Sequence, residues 1–289
     1  MSADLVAQRN RILLRAGGPL VSDVRGLDFP LGDGASCLNR FRVGEPIAVD
    51  YLVEVTCGDL PHSAWRRSQV ESASVDTALR TVDLTMTELT ATFDLRNRIV
   101  HGRLNGPWPG ALEVLLRNAS QLFGLEMRRA MFLHASSVER QGGAYVFMGR
   151  SGAGKTTVAM LSQDAGGASL IREEFTCLGD FADGAPLCAF ALPFREKNRL
   201  SATRPAAVPL RGLYWLEQAD TDSVERISVP EQVKRLAMAT SIGVRDEMFM
   251  SPALELGEQL VRRVPVRVLR FRKSAEFWQA IDEDLACEA

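Results

Sequence analysis

Residues 149–157 read Gly149-Arg150-Ser151-Gly152-Ala153-Gly154-Lys155-Thr156-Thr157 and meet the triphosphate-loop pattern GxxxxGK[ST] at every fixed position. Glycines at 149, 152 and 154 permit backbone conformations and close approaches that a Cβ forbids. Successive N–H groups can then curl around a phosphate, and the helix that follows turns its positive end to the same anion. Lys155 is placed to bring an ammonium to the β- and γ-phosphates, and the Thr156 hydroxyl to ligate Mg²⁺. The flanks agree with the motif. Ala144-Tyr145-Val146-Phe147-Met148 is apolar and strand-like, and Thr157-Val158-Ala159-Met160-Leu161 leaves the loop without a helix breaker. The expectation is an ATP or GTP site on residues 149–157, used with Mg²⁺.

Working outward, the chain has 289 residues, a length that suits about two domains with a core each. A hydrophobic fraction of 46% beside 24% charged residues is ordinary for a globular protein. The formal net charge of −2 provides no general attraction to nucleic acid or to an anionic membrane, so neither is expected as a partner. No apolar run approaches the length of a membrane span, and the opening Met-Ser-Ala-Asp-Leu has no signal-peptide core. The cysteines at 37, 57, 177, 188 and 287 are scattered without a CxxC pair. They read as reduced thiols of a cytoplasmic protein rather than a disulfide or metal framework.

The texture changes near residue 105. Upstream, apolar and polar residues alternate in short runs: Ile47 to Val55, Val82 to Thr87, Leu89 to Leu95 and Arg98 to Leu104. These predict an antiparallel β meander. Asp50, Glu54 and Asp83 fit outward-facing strand positions, and His62 and His101 are isolated, so this half offers no catalytic constellation. A β-rich domain over 1–105 is expected.

Asn105-Gly106-Pro107-Trp108-Pro109-Gly110 then punctuates the chain. Leu112, Leu115, Leu116, Ala119, Leu122 and Phe123 predict one apolar helix face running to about Arg129. A strand over Met131–Val138, a turn at Gly142-Gly143 and the strand into the glycine-rich loop follow. Ala168 to Glu174 and Leu210 to Leu216 read as buried strands ending in acids. Helices are expected after Ser228-Val229-Pro230, after Ser251 with Pro252 at the first helical position, and from Ser274, with a strand over Val264–Phe271. The prediction for 106–289 is an α/β domain.

A nucleotide loop of this kind needs a second acidic element, because Mg²⁺ is held by a carboxylate at the end of a neighbouring strand. Glu173 and Glu174 are the best candidates, and alternation along a strand sends adjacent side chains to opposite faces. Glu217, after Leu213-Tyr214-Trp215-Leu216, is the rival. His134 lies within Phe132-Leu133-His134-Ala135-Ser136, on the strand before the loop strand. A contact with an acid of the Glu173 strand would orient its imidazole for proton transfer.

The order of these elements resembles the HPr kinase/phosphorylase family and its wider relatives. Leu133-His134-Ala135-Ser136 matches the family's "HA/HG" strand, Gly149 to Thr156 its GxSGxGKS loop, and Leu170-Ile171-Arg172-Glu173-Glu174 its "LxxDD" strand. The resemblance covers roughly residues 105 to 275. It implies a P-loop kinase core of the HPr kinase and phosphoenolpyruvate carboxykinase type, preceded by a small β-rich domain. It also implies ATP-dependent phosphorylation of a hydroxyl, a seryl one on a protein or peptide. Lys155 would be the phosphate lysine, Thr156 the Mg²⁺ hydroxyl and His134 the histidine near the reacting phosphate. Of Glu173 and Glu174, one would serve as base and one would help the metal.

The chain departs from the family at three points. Glu-Glu replaces Asp-Asp and moves each carboxylate out by a methylene, a scale of displacement that matters to rate. Thr156 stands for Ser. Where a glycine-rich capture loop is expected, the chain has Pro193-Phe194-Arg195-Glu196-Lys197-Asn198-Arg199-Leu200, with Arg204 beyond. Arg195, Lys197 and Arg199 suit a phosphate or an acidic substrate peptide. Two further readings compete: a nucleotide-binding regulatory or assembly module without kinase activity, and a small-molecule kinase. An ABC-type ATPase shares the loop, but its LSGGQ-type signature is missing from the sequence. A homo-oligomer is left open.

Overall fold

The fold forms around the strand that enters the glycine-rich loop, and every residue of that strand, Gly143–Met148, is buried. The computed structural model describes residues 11–26, 38, 40–44, 47–58, 70–105, 108–164, 167–181, 184–194 and 207–287. It is a mixed α/β protein with two sheets.

The first sheet has seven strands. β1 (Ile12–Gly17) and β2 (Leu20–Arg25) form a hairpin, and β3 (Tyr51–Cys57) lies beside β2. β4 (Val70–Asp76), β5 (Thr81–Met86), β6 (Leu89–Asp94) and β7 (Ile99–Leu104) follow, in the order β1-β2-β3-β7-β6-β5-β4. The expected antiparallel meander holds for β4 to β7. β3 departs from it, pairing in parallel with both β2 and β7. Parallel neighbours need a long connection, and residues 26–50 supply one between β2 and β3. Alternation places Val82, Leu84, Met86, Leu89, Ala91, Phe93 and Val100 inward. Asp83 and Glu54 point outward, and Glu54 pairs with the exposed His101 at 3.1 Å. His62 and Cys37 lie outside the described residues.

Helix α1 (Trp108–Glu126) covers the inner face of this sheet. Tyr51 stacks on Phe123 with centroids 4.8 Å apart, and its hydroxyl lies 3.0 Å from Ser120 Oγ. A Cβ at Gly102 would come within 2.5 Å of the end of the Leu115 side chain, so the bare strand is what lets that leucine seat closely on the sheet. The boundary expected at 105/106 therefore differs from the structural one. The unit that holds the first sheet takes Met1–Met127 together with Leu192–Arg195 and Ile242–Phe249, and the second takes Arg128–Ala191, Glu196–Ser241 and Met250–Ala289. The helix goes with the sheet that buries its apolar face, and the punctuation at 105–110 marks a change of element only.

The second unit opens with β8 (Ala130–Leu133), β9 (Ala135–Arg140) and β10 (Gly143–Met148), then α2 (Lys155–Asp164) and β11 (Ala168–Arg172). β12 (Thr176–Gly179), β13 (Cys188–Phe190), β14 (Ala207–Gln218) and β15 (Ser223–Arg226) follow. Helices α3 (Val229–Ala239) and α4 (Glu247–Arg263), strand β16 (Val266–Phe271) and helix α5 (Phe277–Ala286) complete the chain. The sheet runs β11-β9-β10-β14-β13-β12-β8, with β16 on β14 and β15 on β16. Twelve-residue β14 joins its parts. It runs parallel to β10, its start pairs with β13, and its end pairs in parallel with β16.

Two expected elements differ, and a third lacks only its capping bond. The strand expected over 131–138 is two strands broken at His134, because β8 pairs with β12 whereas β9 pairs with β10 and β11. Helix α4 begins at Glu247, with Pro252 inside it, and not at Ser251. The cap is Asp246, whose carboxylate accepts the Met248 N–H at 2.9 Å. Ser228 does stand at the N-cap of α3 with Pro230 behind it, yet its hydroxyl makes no capping bond.

Beneath the glycine-rich loop an aromatic core locks β10 in place. Phe147 stacks on Tyr214 at 5.9 Å and meets Phe277 and Trp278 edge-on at 6.2 and 6.0 Å. Val158 and Ala159 of α2, and Leu269 and Phe271 of β16, close the same cluster. Cys177 and Cys188 are buried and Cys57 and Cys287 exposed, none of them in a disulfide. Among the described residues, no helix is long and apolar enough to cross a membrane. Phe147→Ala should lower stability by about 3–5 kcal/mol, the usual range for deleting a buried aromatic ring. Urea unfolding followed by Trp278 fluorescence checks it.

Candidate functional site

The loop after β10 turns back on itself before α2 starts. Its Gly152 and Gly154 take φ values of +80° and +101°, conformations that L side chains rarely adopt. Gly154 carries a second constraint, since a Cβ there would sit 2.8 Å from the Phe271 ring. Ala153 N–H donates to the Arg150 carbonyl at 3.1 Å, and Val158 N–H makes the first helical bond to Gly154 at 2.9 Å. Arg150 and Ser151 are exposed, while Ala153, Lys155, Thr156 and Thr157 are half-buried. Outside the loop, Gln218 at the end of β14 donates its side-chain amide to the Gly152 carbonyl at 2.9 Å. The sequence carried no signal for that tether, which depends on the parallel register of β14 with β10.

Lys155 folds over the loop. Its ammonium donates to the carbonyls of Gly149 at 3.0 Å and Arg150 at 3.2 Å. Burial lowers its pKa from the usual lysine range, and the negative charge of Glu174 works in the opposite direction.

The acid pair reaches the loop from the other side of β10. β11 ends at Arg172, so Glu173 and Glu174 lie just past the strand and not on it. A register shift between Leu170 and Arg172 kinks the strand just before it ends, with Arg172 still paired to Ser137 of β9. The two carboxylates still diverge. Glu173 is 1% exposed, and the Thr156 hydroxyl donates to its Oε1 at 3.3 Å. Glu174 is half-buried and sits within electrostatic reach of Lys155.

Buried hydroxyls on β9 hold this acidic bend. Ser136 Oγ donates to the Glu173 carbonyl at 2.5 Å, and Thr176 Oγ1 donates to the Ala135 carbonyl at 3.0 Å and lies 3.1 Å from Ser137 Oγ. Sequence reasoning passed over Ser136, Ser137 and Thr176, although Ser136 stands within the motif that holds His134.

His134 occupies the break between β8 and β9. Its N–H donates to the Ala239 carbonyl at 2.7 Å. The imidazole is exposed, and Nδ1 lies 3.1 Å from the main-chain carbonyl of Glu174. His134 thus meets the acidic segment expected beside it, through the main chain of Glu174. Glu217, the rival acid, is committed to arginines, with Arg235 at 3.0 Å and Arg270 at 3.6 Å. Arg195, Lys197 and Arg199 lie outside the described residues.

The structure thus brings together His134, Lys155, Thr156, Glu173 and Glu174. The described residues hold no cluster of three or more His, Cys, Asp or Glu suited to a metal. Thr156 with Glu173 nevertheless fits Mg²⁺, which takes one or two protein oxygens and fills its remaining positions with phosphate and water. No family model and no curated protein matches this chain.

The Lys155 amine should release its proton below the range of a free lysine side chain, with stability rising with pH between that lowered pKa and the ordinary 10.5. The sign follows because the folded state gives up the proton first. NMR titration of the lysine side-chain carbons checks it, and added pyrophosphate should move the value back up by favouring the ammonium.

Proposed function

We propose that this protein is an ATP-dependent phosphotransferase of the HPr-kinase-like kind, with residues 149–157 as a P-loop. It moves a γ-phosphoryl group to a hydroxyl, a seryl one on a protein or peptide. The contact that carries this reading is Thr156 Oγ1 to Glu173 Oε1 at 3.3 Å. It joins the end of the glycine-rich loop to the first acid of a Glu-Glu pair whose second acid lies within electrostatic reach of Lys155.

In this reading Lys155 leaves the carbonyls of Gly149 and Arg150 for the phosphate oxygens, exchanging two neutral acceptors for charged ones. Backbone N–H groups of the loop and the start of α2 cradle the phosphates. Thr156 and Glu173 would hold Mg²⁺, which when bound offsets charge on the phosphate oxygens. Glu174 is the base. Its carboxylate takes the acceptor hydroxyl's proton as that oxygen bonds to phosphorus, while the bond to the ADP oxygen breaks and its electron pair leaves with ADP. His134 holds the main chain of Glu174 and so positions the base.

A nucleotide-binding regulator without transfer is the second reading. It is favoured by the glutamates standing where the resembled family has aspartates. Incubation with radiolabelled ATP and a panel of peptide, protein and small-molecule alcohols separates the two, since a regulator labels none of them.

Two predictions test the roles. Lys155→Ala should weaken Mg²⁺-ATP binding by about tenfold or more, through loss of a charge-assisted phosphate contact. Calorimetry on the folded variant checks it, and unchanged affinity would remove the loop assignment. Glu174→Gln should cut phosphoryl transfer by about 10²–10⁴-fold, the usual worth of a positioned base, with ATP affinity near wild type. Glu173→Gln should instead raise the Mg²⁺ concentration needed for half-maximal rate, and His134→Ala should cost less than either. Rates equal to wild type in all three variants would refute the site.

A further inference from the structure

The bend that carries the two acids is held at three consecutive carbonyls, each by a different side chain. Ser136 Oγ donates to the carbonyl of Glu173, and His134 Nδ1 lies 3.1 Å from that of Glu174. The third carbonyl, of Phe175, accepts from Arg172 Nε at 3.3 Å. His134 and Ser136 reach the bend from 40 and 37 residues away in the chain. Arg172 closes it locally, from the residue before the first acid to the residue after the second. The Phe175 ring also stacks on Phe132 of β8, with centroids 5.2 Å apart. The far end of the bend is therefore pinned through main chain and side chain together.

Arg172 is a costly way to close a bend. Its side chain is 1% exposed, as is Glu173 beside it. Arginine keeps its charge in a folded protein, so burying it carries a heavy desolvation penalty. A backbone N–H could hold the same carbonyl without that penalty. What arginine adds is direction. Its main chain is fixed opposite Ser137 of β9, and Nε lies in the rigid plane of the guanidinium, so packing of the fork sets where that N–H points. Donor and charge are separable by substitution. Glutamine places an amide nitrogen where arginine has Nε, and lysine places a methylene there and keeps the charge.

We propose that Arg172 is a positioning residue for the Glu173–Glu174 pair, acting through its hold on the Phe175 carbonyl. This role rests on the phosphotransferase reading, which gives the two acids their tasks. Adjacent carboxylates must be aimed at different targets, Glu173 at Thr156 and Glu174 into reach of Lys155. Ser136 and His134 fix the first two carbonyls of the bend. Releasing the third frees the peptide that follows Glu174, and a displacement of about an ångström at a reacting group costs on the order of 10²-fold in rate. Arg172 touches no substrate in this scheme and works only through the acids.

The test uses the full chain with ATP and Mg²⁺, and with water as the hydroxyl acceptor, for wild type, Arg172→Lys and Arg172→Gln. Calorimetry gives ATP affinity with and without Mg²⁺, and phosphate release gives the rate. Arg172→Lys keeps the buried charge, so it leaves no charged neighbour unpaired. It should cut the rate about tenfold or more and shrink the Mg²⁺ gain in ATP affinity about threefold or more, with metal-free affinity within about twofold of wild type. Arg172→Gln, neutral but with the donor in place, should stay within about threefold of wild type in rate and in Mg²⁺ gain. An Mg²⁺ gain unmoved in folded Arg172→Lys overturns the proposal, because a merely structural arginine would alter stability alone. Arg172→Gln falling below Arg172→Lys also overturns it, since the effect would then belong to the charge. If Arg172→Gln does not fold, Arg172→Lys combined with His134→Ala decides. Two holds on one bend should couple, so the combined loss in Mg²⁺ gain falls short of the product of the single losses, and a simple product overturns the role. If wild type binds ATP but releases no phosphate, the Mg²⁺ gain is the readout, with the same expectation. If wild type binds no ATP, the phosphotransferase reading fails and this role falls with it.

Discussion

The parallel pairing of β10 with β14, Met148 opposite Trp215, is the constraint on which the second unit depends. It sets where the glycine-rich loop emerges and where Gln218 can reach it. β10 also pairs with β9 on its other edge, down to Met148 opposite Ala135. A strand bonded on both sides and buried on both faces has little freedom, and Phe147 within the aromatic cluster removes what remains. The loop inherits that rigidity. Gly154 can be nothing larger because Phe271 of β16, brought in by the same long β14, already occupies the space of a Cβ.

The acid pair is positioned by a different device. β11 carries a register shift just before its last pair, Arg172 opposite Ser137, and the acids follow directly beyond it. The buried Ser136 hydroxyl takes up the Glu173 carbonyl at the bend, and Thr176 ties β12 to Ala135 and Ser137 of β9 beside it. Glu173 is thereby turned inward to Thr156 and Glu174 outward to the Lys155 side. The break at His134 belongs to the same arrangement. By leaving β8 for β9 at that residue, the chain changes sheet partners and puts the imidazole against the main chain of Glu174.

Electrostatics in the site are held in reserve by the protein's own groups. Lys155 rests on two carbonyls of its own loop, and its charge is carried at a cost of burial. Under the proposed function, a phosphate at the loop would replace neutral acceptors with charged ones and shift the balance back to the ammonium. On the β14 side the charges are closed among themselves, with Glu217 shared by Arg235 and Arg270. The rival acid is therefore spent on structure, and the carboxylates of the proposed chemistry are Glu173 and Glu174, just beyond β11.

Much of this was legible in the chain itself. The pattern at 149–157 and its apolar flanks determined a strand, a turn needing glycine and a helix, because those requirements are local and each residue meets one of them. The alternation from Val82 to Leu104 determined three strands for the same reason, and the spacing of Leu112 to Phe123 one helix face. Tertiary structure alone decided which sheet that helix covers, since an apolar stripe does not name its partner and Gly102 does so only once paired with Leu115. It alone decided that the run at 131–138 breaks at His134, because partner strands from residues 144–179 pull its halves apart. The clamp on the acidic bend was out of reach for the same physical reason. His134 and Ser136 lie 40 and 37 residues from the carbonyls they hold, and only the register of β9 with β11 brings them to the bend that Arg172 closes.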